Sequence, residues 1–111
     1  MQARFSYAIA FVVDMDKAVA FHRDVLGLTL RFASPFWSEF PSGDVTLALH
    51  PASAENPAGK VQLGFAIQDL AKLYESRAEN GLDFSSAPRT EGGSLLARIR
   101  NSEGVEISLS S

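Results

Sequence analysis

The feature that most constrains the fold is an internal repeat that spans both halves of the chain. An apolar run ending at Asp14 is followed by an amphipathic segment that stops at Gly27. A second apolar run ending near Asp69 is followed by a similar segment that stops at Gly81. The two aspartates are offset by 55 positions and the two glycines by 54. A period of this size indicates a duplicated supersecondary unit whose copies share one core, an arrangement that commonly encloses a ligand cleft.

Each copy predicts a strand, a helix and three further short strands. In module one (residues 1–52) the strands are predicted over 5–13, 28–32, 37–40 and 45–50, with a helix that Asp14 or Asp16 caps and that ends at Leu26. A linker over 53–59 leads to module two (residues 60–111), with strands over 61–67, 83–85, 95–99 and 105–109, a helix over 69–80 and a loop reaching Gly93. The predicted class is α+β. Two βαβββ modules form one domain over residues 1–111, a partly closed, eight-stranded mixed sheet shaped as a cup with the helices outside.

The first helix is predicted to be amphipathic. Its apolar residues recur close to every 3.6 positions and should face the sheet: Ala18, Val19, Phe21, Val25 and Leu26.

Composition excludes several classes of function. The net charge of -3 argues against a nucleic-acid partner, because phosphate binding needs clustered Lys and Arg. The chain has no cysteine, which excludes disulfides, thiol catalysis and Cys-ligated metals. No apolar run is long enough for a signal peptide or a membrane span, and the chain is therefore predicted to be cytoplasmic, with no membrane partner.

Two segments resemble a known superfamily. Residues 11–28, FVVDMDKAVAFHRDVLGL, look like the opening signature of the vicinal oxygen chelate superfamily, which includes glyoxalase I, extradiol dioxygenases, fosfomycin-resistance enzymes and bleomycin-resistance proteins. Residues 101–107, NSEGVEI, resemble its closing hairpin. The resemblance covers essentially the whole chain and implies the duplicated fold, but function depends on the site rather than the scaffold.

The resemblance also implies where a metal would be bound. Metal-dependent members use His or Gln in the first strand, Glu late in module one, His at the start of module two and Glu in the terminal strand. Carried over by alignment, these positions fall on Tyr7, Ala48, Gln62 and Ser108. Because divalent metal sites need imidazole and carboxylate donors, this set predicts no metal cofactor.

A shifted register is the alternative. Strand side chains alternate between faces, so His50 shares a face with Ala48 and Glu106 shares one with Ser108. Shifted by two residues in each strand, His50 and Glu106 would approach the metal position with Gln62, as in a metal-dependent lyase or dioxygenase. The competing interpretation is that His50 ends an exposed strand and Glu106 is a solvated hairpin residue.

The same alternation predicts the inner face of the cup. Residues 7, 9 and 11 should face inward while residues 8, 10 and 12 face helix one; residues 62, 64 and 66 should face inward while 63, 65 and 67 face helix two. Phe36, Trp37 and Phe40 border the mouth of the cup, and their register is left open. The predicted ligand-binding residues are Tyr7, Ile9, Phe11, Trp37, His50, Gln62, Glu106 and Ser108.

Function is predicted from this apolar, aromatic cup. The resemblance implies a bleomycin-resistance type of protein, which binds a flat cationic aromatic drug at a dimer interface without a metal. We therefore predict a metal-free homodimer that binds or sequesters a small aromatic or cationic molecule. Acid/base catalysis by Glu106 with Tyr7 stays open, as do the identity of the ligand and the mode of dimerisation.

Overall fold

The computed structural model describes residues 2–111, and the chain divides into two compact units. The first unit comprises residues 6–62, and the second comprises residues 2–5 with 63–111. The elements are β1 (Arg4–Val12), α1 (Met15–Ala20), a π-helical segment (Phe21–Val25), β2 (Phe32–Ala33), β3 (Ser38–Ser42), β4 (Val45–Pro51), β5 (Val61–Ala66), α2 (Leu70–Glu75), β6 (Asp83–Glu91), β7 (Ser94–Arg100) and β8 (Glu106–Ser110). No helix among residues 2–111 combines the length and the apolarity needed to span a membrane.

The strand pairing repeats between the units. In the first unit the order is β2-β3-β4-β1, where β1 and β4 are parallel and the other pairs are antiparallel. In the second unit the order is β6-β7-β8-β5, with the same pattern of directions. The eight strands belong to one mixed sheet with β2 and β6 at its edges. The predicted α+β class, the eight-stranded mixed sheet and the βαβββ duplication are confirmed.

The residues that define the sequence repeat have equivalent structural roles. Asp14 and Asp69 are the N-caps of α1 and α2, and each carboxylate accepts a backbone N–H three residues later, at 3.1 Å. Gly27 and Gly81 follow the two helical segments with φ of 71° and 66°, a left-handed conformation that favours glycine.

The hydrophobic core of each unit follows the predicted alternation of strand side chains, except at Leu63, which was predicted to face helix two and is 42% exposed. Beneath α1, the fully buried Phe40 and Leu49 pack with Val19, and Ala10 and Val12 join them. Beneath α2, Ile67, Leu70, Leu73 and Leu109 form the core, with Phe65 and Ile107 packed against it. The opposite sheet face of the first unit holds a separate cluster around Ile9 and Ala48.

The predicted end of helix one is wrong. The α-helix stops at Ala20, and the segment Phe21–Val25 has π-helical hydrogen bonding, such as Leu26 N–H to the Phe21 carbonyl at 3.1 Å. A π-turn has more residues per turn than an α-turn, so the 3.6-residue stripe loses its alignment with the sheet. Phe21, Val25 and Leu26 are consequently about half or more exposed rather than packed.

Three other predicted boundaries are wrong. Helix two ends at Glu75 instead of Asn80, and the strand predicted over 28–32 is reduced to Phe32–Ala33 because Leu28 and Leu30 pack into the core beneath α1. The loop predicted up to Gly93 is instead the rest of β6, which continues to Glu91. Register shifts on both sides of Ser86 place Pro88 in an irregular stretch of the edge strand, where its missing N–H is tolerated.

Candidate functional site

The sheet face of the first unit that faces away from α1 is aromatic. Its residues are Tyr7, Ile9 and Phe11 on β1, Ala48 and His50 on β4, and Trp37 just before β3; we call this set the first-unit face. The ring of Trp37 lies 6.1 Å from that of Tyr7 and 6.2 Å from that of His50, measured between centroids. Phe11 contacts His50 edge-on at 5.3 Å. The sheet thus brings five of the eight predicted ligand-binding residues together, namely Tyr7, Ile9, Phe11, Trp37 and His50.

A carboxylate, Glu39, holds the two largest rings of this face in place. Glu39 lies on β3 opposite Ala48. Its Oε2 accepts the indole N–H of Trp37 at 2.8 Å and the hydroxyl of Tyr7 at 3.1 Å. Its Oε1 accepts Nε of Arg31 at 3.0 Å, and Arg31 also donates to the hydroxyl of Thr46. The rings of Tyr7 and Trp37 are therefore both held by hydrogen bonds to one carboxylate.

The network shifts the pKa values of both acidic groups. Partial burial alone would raise the pKa of Glu39, but hydrogen bonds from Trp37, Arg31 and Tyr7 outweigh it and lower the pKa below its ordinary value. Burial and the nearby negative charge of Glu39 raise the pKa of Tyr7. At neutral pH Glu39 is therefore a carboxylate, and Tyr7 is a neutral phenol that donates its proton to it.

His50 offers a hydrogen-bond acceptor on the same face. Its Nδ1 lies 2.8 Å from the carbonyl oxygen of Pro51. A carbonyl only accepts hydrogen bonds, so Nδ1 must carry the proton, and in the neutral ring Nε2 is then an acceptor. His50 is exposed, and its ring lies beside that of Trp37.

Sequence reasoning missed Glu39 and its partner Arg31. A signal for Glu39 was present in the segment Trp37–Phe40, whose alternation places Trp37 and Glu39 on one face and Ser38 and Phe40 on the other. The structure settles the register that was left open. Trp37 belongs to the first-unit face, Phe40 is completely buried beneath α1, and Phe36 is 75% exposed.

The other three predicted residues are polar and lie on β5 and β8. Gln62 is buried on β5 within the first unit. Glu106 and Ser108 lie on β8 of the second unit, where Glu106 accepts the hydroxyl of Ser85 at 2.6 Å and lies 4.0 Å from the guanidinium of Arg98. Ser108 pairs with Arg98 on one side and with Gly64 on the other. This strand face is polar, whereas the first-unit face is aromatic.

The side chains at the superfamily's metal positions do not fit a divalent metal ion. Ala48 pairs with Ile9, and Ser108 pairs with Gly64, which lies 55 positions after Ile9, so Ala48 and Ser108 occupy equivalent places in the two units. None of Tyr7, Ala48, Gln62 and Ser108 supplies imidazole or carboxylate, and the Tyr7 phenol is held neutral. In the alternative register the metal position moves from Ala48 toward the end of β4, to His50, but from Ser108 toward the start of β8, to Glu106. His50 and Glu106 therefore do not occupy equivalent places in the two units. Residues 2–111 contain no group of three His, Asp or Glu arranged to hold a metal ion.

Comparison with known proteins identifies the family. The model of the Glyoxalase/Bleomycin resistance protein/Dioxygenase superfamily matches residues 4–109. The chain therefore belongs to this superfamily, as its two terminal motifs predicted. No curated protein sequence matched the chain.

Solved structures share the fold at low sequence identity. Hypothetical protein BH1468 from Bacillus halodurans C-125 has a TM-score of 0.80 and 13% identity, covering 99% of this chain and 94% of that one. A variant of Streptomyces coelicolor methylmalonyl-CoA epimerase in complex with 2-nitronate-propionyl-CoA has a TM-score of 0.74 and 18% identity, covering 96% and 92%. A superfamily member from Vibrio splendidus 12B01 has a TM-score of 0.68 and 14% identity, covering 98% of each chain. These likenesses describe the fold alone.

Proposed function

We propose that this protein binds a small aromatic or cationic compound on the first-unit face, without a metal ion. The observation that carries the proposal is the hydrogen bonding of both Tyr7 and Trp37 to one carboxylate oxygen of Glu39. Two large rings held in this way offer contact area at little entropic cost, because their side chains are already ordered.

The chemistry of the face favours an electron-poor or positively charged aromatic ligand. The indole of Trp37 and the phenol of Tyr7 present negative ring faces, which attract cations and the edges of other rings. Glu39 and Nε2 of His50 are acceptors, so a ligand that places its own hydrogen-bond acceptors opposite them is disfavoured. Arg31 compensates the charge of Glu39. Ligand selectivity therefore depends mainly on the aromatic rings rather than on the net charge of the face.

The proposal omits a metal because the donor set does not fit one. Purified protein should carry no stoichiometric Ni, Zn, Fe or Mn after brief dialysis, measured by elemental analysis. About one metal ion per chain, lost in both His50→Ala and Glu106→Ala, would contradict the proposal and support the lyase or dioxygenase alternative.

Thermal-shift measurements test the ligand class. Benzyltrimethylammonium, which is aromatic and cationic, should raise the melting temperature more than tetramethylammonium or benzenesulfonate at equal concentration, because binding to the folded state alone is stabilising. Tyr7→Ala and Trp37→Ala should reduce the shift in melting temperature. Lys17→Ala, at an exposed position of α1, should leave it unchanged. Equal shifts in all three variants would place the binding site elsewhere.

Gln62, Glu106 and Ser108 stay predicted ligand contacts. Gln62→Ala should weaken the thermal response as Tyr7→Ala does. A response unchanged by Gln62→Ala would confine the site to the aromatic residues.

The proposal includes a two-fold homodimer. Phe32 on edge strand β2 is 53% exposed, and Phe36 beyond it is 75% exposed, so an apolar edge of the first unit is uncovered. Light scattering at micromolar concentration should give twice the chain mass, and a mass near 12.0 kDa would contradict the dimer.

A further inference from the structure

The second unit contains an apolar cavity on the side of its sheet that α2 covers. Its volume is about 140 Å³. All eight lining residues are apolar: Ala3, Phe65, Ile67, Leu73, Leu82, Ile99, Ile107 and Leu109. We call this the second-unit cavity.

The internal repeat explains why the cavity exists. Phe40 pairs with Leu47 in the first unit, and Ile99 pairs with Ile107 at the equivalent place in the second. The phenyl ring of Phe40 is completely buried beneath α1 and has the imidazole of His22 5.6 Å away. At the same position the second unit has the smaller Ile99, so the volume that a ring fills in one unit is left open in the other.

The helical covers of the two units also differ in length. In the first unit the π-helical segment extends the helical cover to Val25, and Leu28 and Leu30 pack beneath it. In the second unit α2 ends at Glu75, and turns follow as far as Gly81. The shorter cover leaves the space beside Leu73 and Leu82 open to entry.

We propose that the second-unit cavity binds a small apolar molecule with the size of a single aromatic ring. An enclosed cavity of about 150 Å³ lined by Leu, Ile and Phe accepts benzene or xenon. The second-unit cavity has a similar volume and an entirely apolar lining, and it is open on one side. Water has no polar side chain to bind there, so an apolar ligand can displace it without breaking hydrogen bonds to the protein and gains dispersion contacts. The cavity should select ligands by their shape and by their lack of polar groups. This site is independent of the first-unit face.

Methyl-resolved NMR tests the cavity with benzene as the probe, because six of its lining residues are Ile or Leu. Saturable shifts are expected for the methyl groups of Ile99, Ile107 and Leu109, whereas Leu49 in the filled core of the first unit should not respond. Pyridine has the same shape but a buried acceptor would go unpaired, so its affinity should be lower by about tenfold. Absence of saturable shifts at these methyl groups up to the solubility limit of benzene, or equal affinity for pyridine, would overturn the proposal.

Filling the cavity provides the second arm of the test. Ile99→Phe places a phenyl ring in the second unit at the position that Phe40 occupies in the first. This variant should not bind benzene, and its melting temperature should be higher. Leu82→Phe fills the same space from the cavity rim and serves if Ile99→Phe does not fold. Val105→Phe, at a half-exposed position outside the cavity, is the control and should bind benzene like the original chain. Undiminished binding by a folded filling variant would also contradict the assignment.

Discussion

Replacing Glu39 by Gln tests whether one carboxylate organises the first-unit face. The carboxylate accepts three side-chain donors, from Trp37 at 2.8 Å, Arg31 at 3.0 Å and Tyr7 at 3.1 Å. A Gln amide has a single oxygen. If that oxygen keeps Trp37 and Tyr7, the NH₂ group faces the guanidinium of Arg31, donor against donor. If the amide flips, the indole N–H of Trp37 loses its acceptor.

The cost follows from the types of bond lost. A hydrogen bond to a charged group contributes about 1.5–3 kcal/mol and a neutral one about 0.5–1.5 kcal/mol, so two converted bonds cost about 2 kcal/mol. The ion pair with the half-exposed Arg31 adds about 0.5 kcal/mol, since solvent screens it. For a chain of this size the total of about 2.5 kcal/mol corresponds to a melting temperature lower by about 10 °C.

Trp37 is the only tryptophan, so its emission during urea unfolding reports on this site directly. The pKa of Glu39 is depressed, so its contribution to stability is full above the ordinary value of 4.5 and is lost as pH falls through the lower folded-state value. The stability difference between the original chain and Glu39→Gln should therefore be largest at pH 7 and shrink below pH 4.5. Glu103→Gln, in an exposed turn, is the control. Equal stability at pH 7, or a difference that stays constant into acid, would refute the role of Glu39.

Two further predictions concern the repeat and Tyr7. Asp14→Ala and Asp69→Ala remove equivalent N-caps and should each lower the unfolding free energy by about 1 kcal/mol in urea titrations; a loss in only one would show that the caps are not equivalent. In an ultraviolet titration of the two tyrosines, one should ionise above the ordinary value of 10.0, and this step should vanish in Tyr7→Phe and move back toward 10.0 in Glu39→Gln. Since the raised pKa favours neutral Tyr7 in the folded state, its contribution to stability is present below pH 10.0 and lost as pH rises through the folded-state value; a normal titration of both tyrosines would contradict this.

The fold was predictable because the repeat marks its own boundaries. Asp14 and Asp69 start the two helices and Gly27 and Gly81 follow them, and each of these residues acts through its immediate neighbours in the chain. Alternation in β1 likewise separates Tyr7 and Ile9 from Ala10 and Val12, because a strand turns successive side chains to opposite faces.

The errors arise where tertiary packing overrides local pattern. The helical periodicity of residues 18–26 does not reveal that hydrogen bonding changes to the π type at Phe21. The role of Glu39 depends on donors 32 residues away at Tyr7 and two away at Trp37, which meet only once β1 and β3 flank β4. Phe40 and Ile99 can be recognised as equivalent positions only when the strand register of both units is known. The sequence alone therefore does not indicate the cavity.

A titration of Trp37 emission with benzyltrimethylammonium in the presence of EDTA tests the central claim most directly. Because Trp37 is the only tryptophan and lies on the first-unit face, ligand binding there should change its emission in a saturable way with metals removed. The affinity should fall by at least about tenfold in Tyr7→Ala, which corresponds to losing about 1.4 kcal/mol of ring contact, and should be unchanged in Lys17→Ala. No saturable change, or a change that appears only after a divalent metal is added back, would contradict metal-free binding on this face.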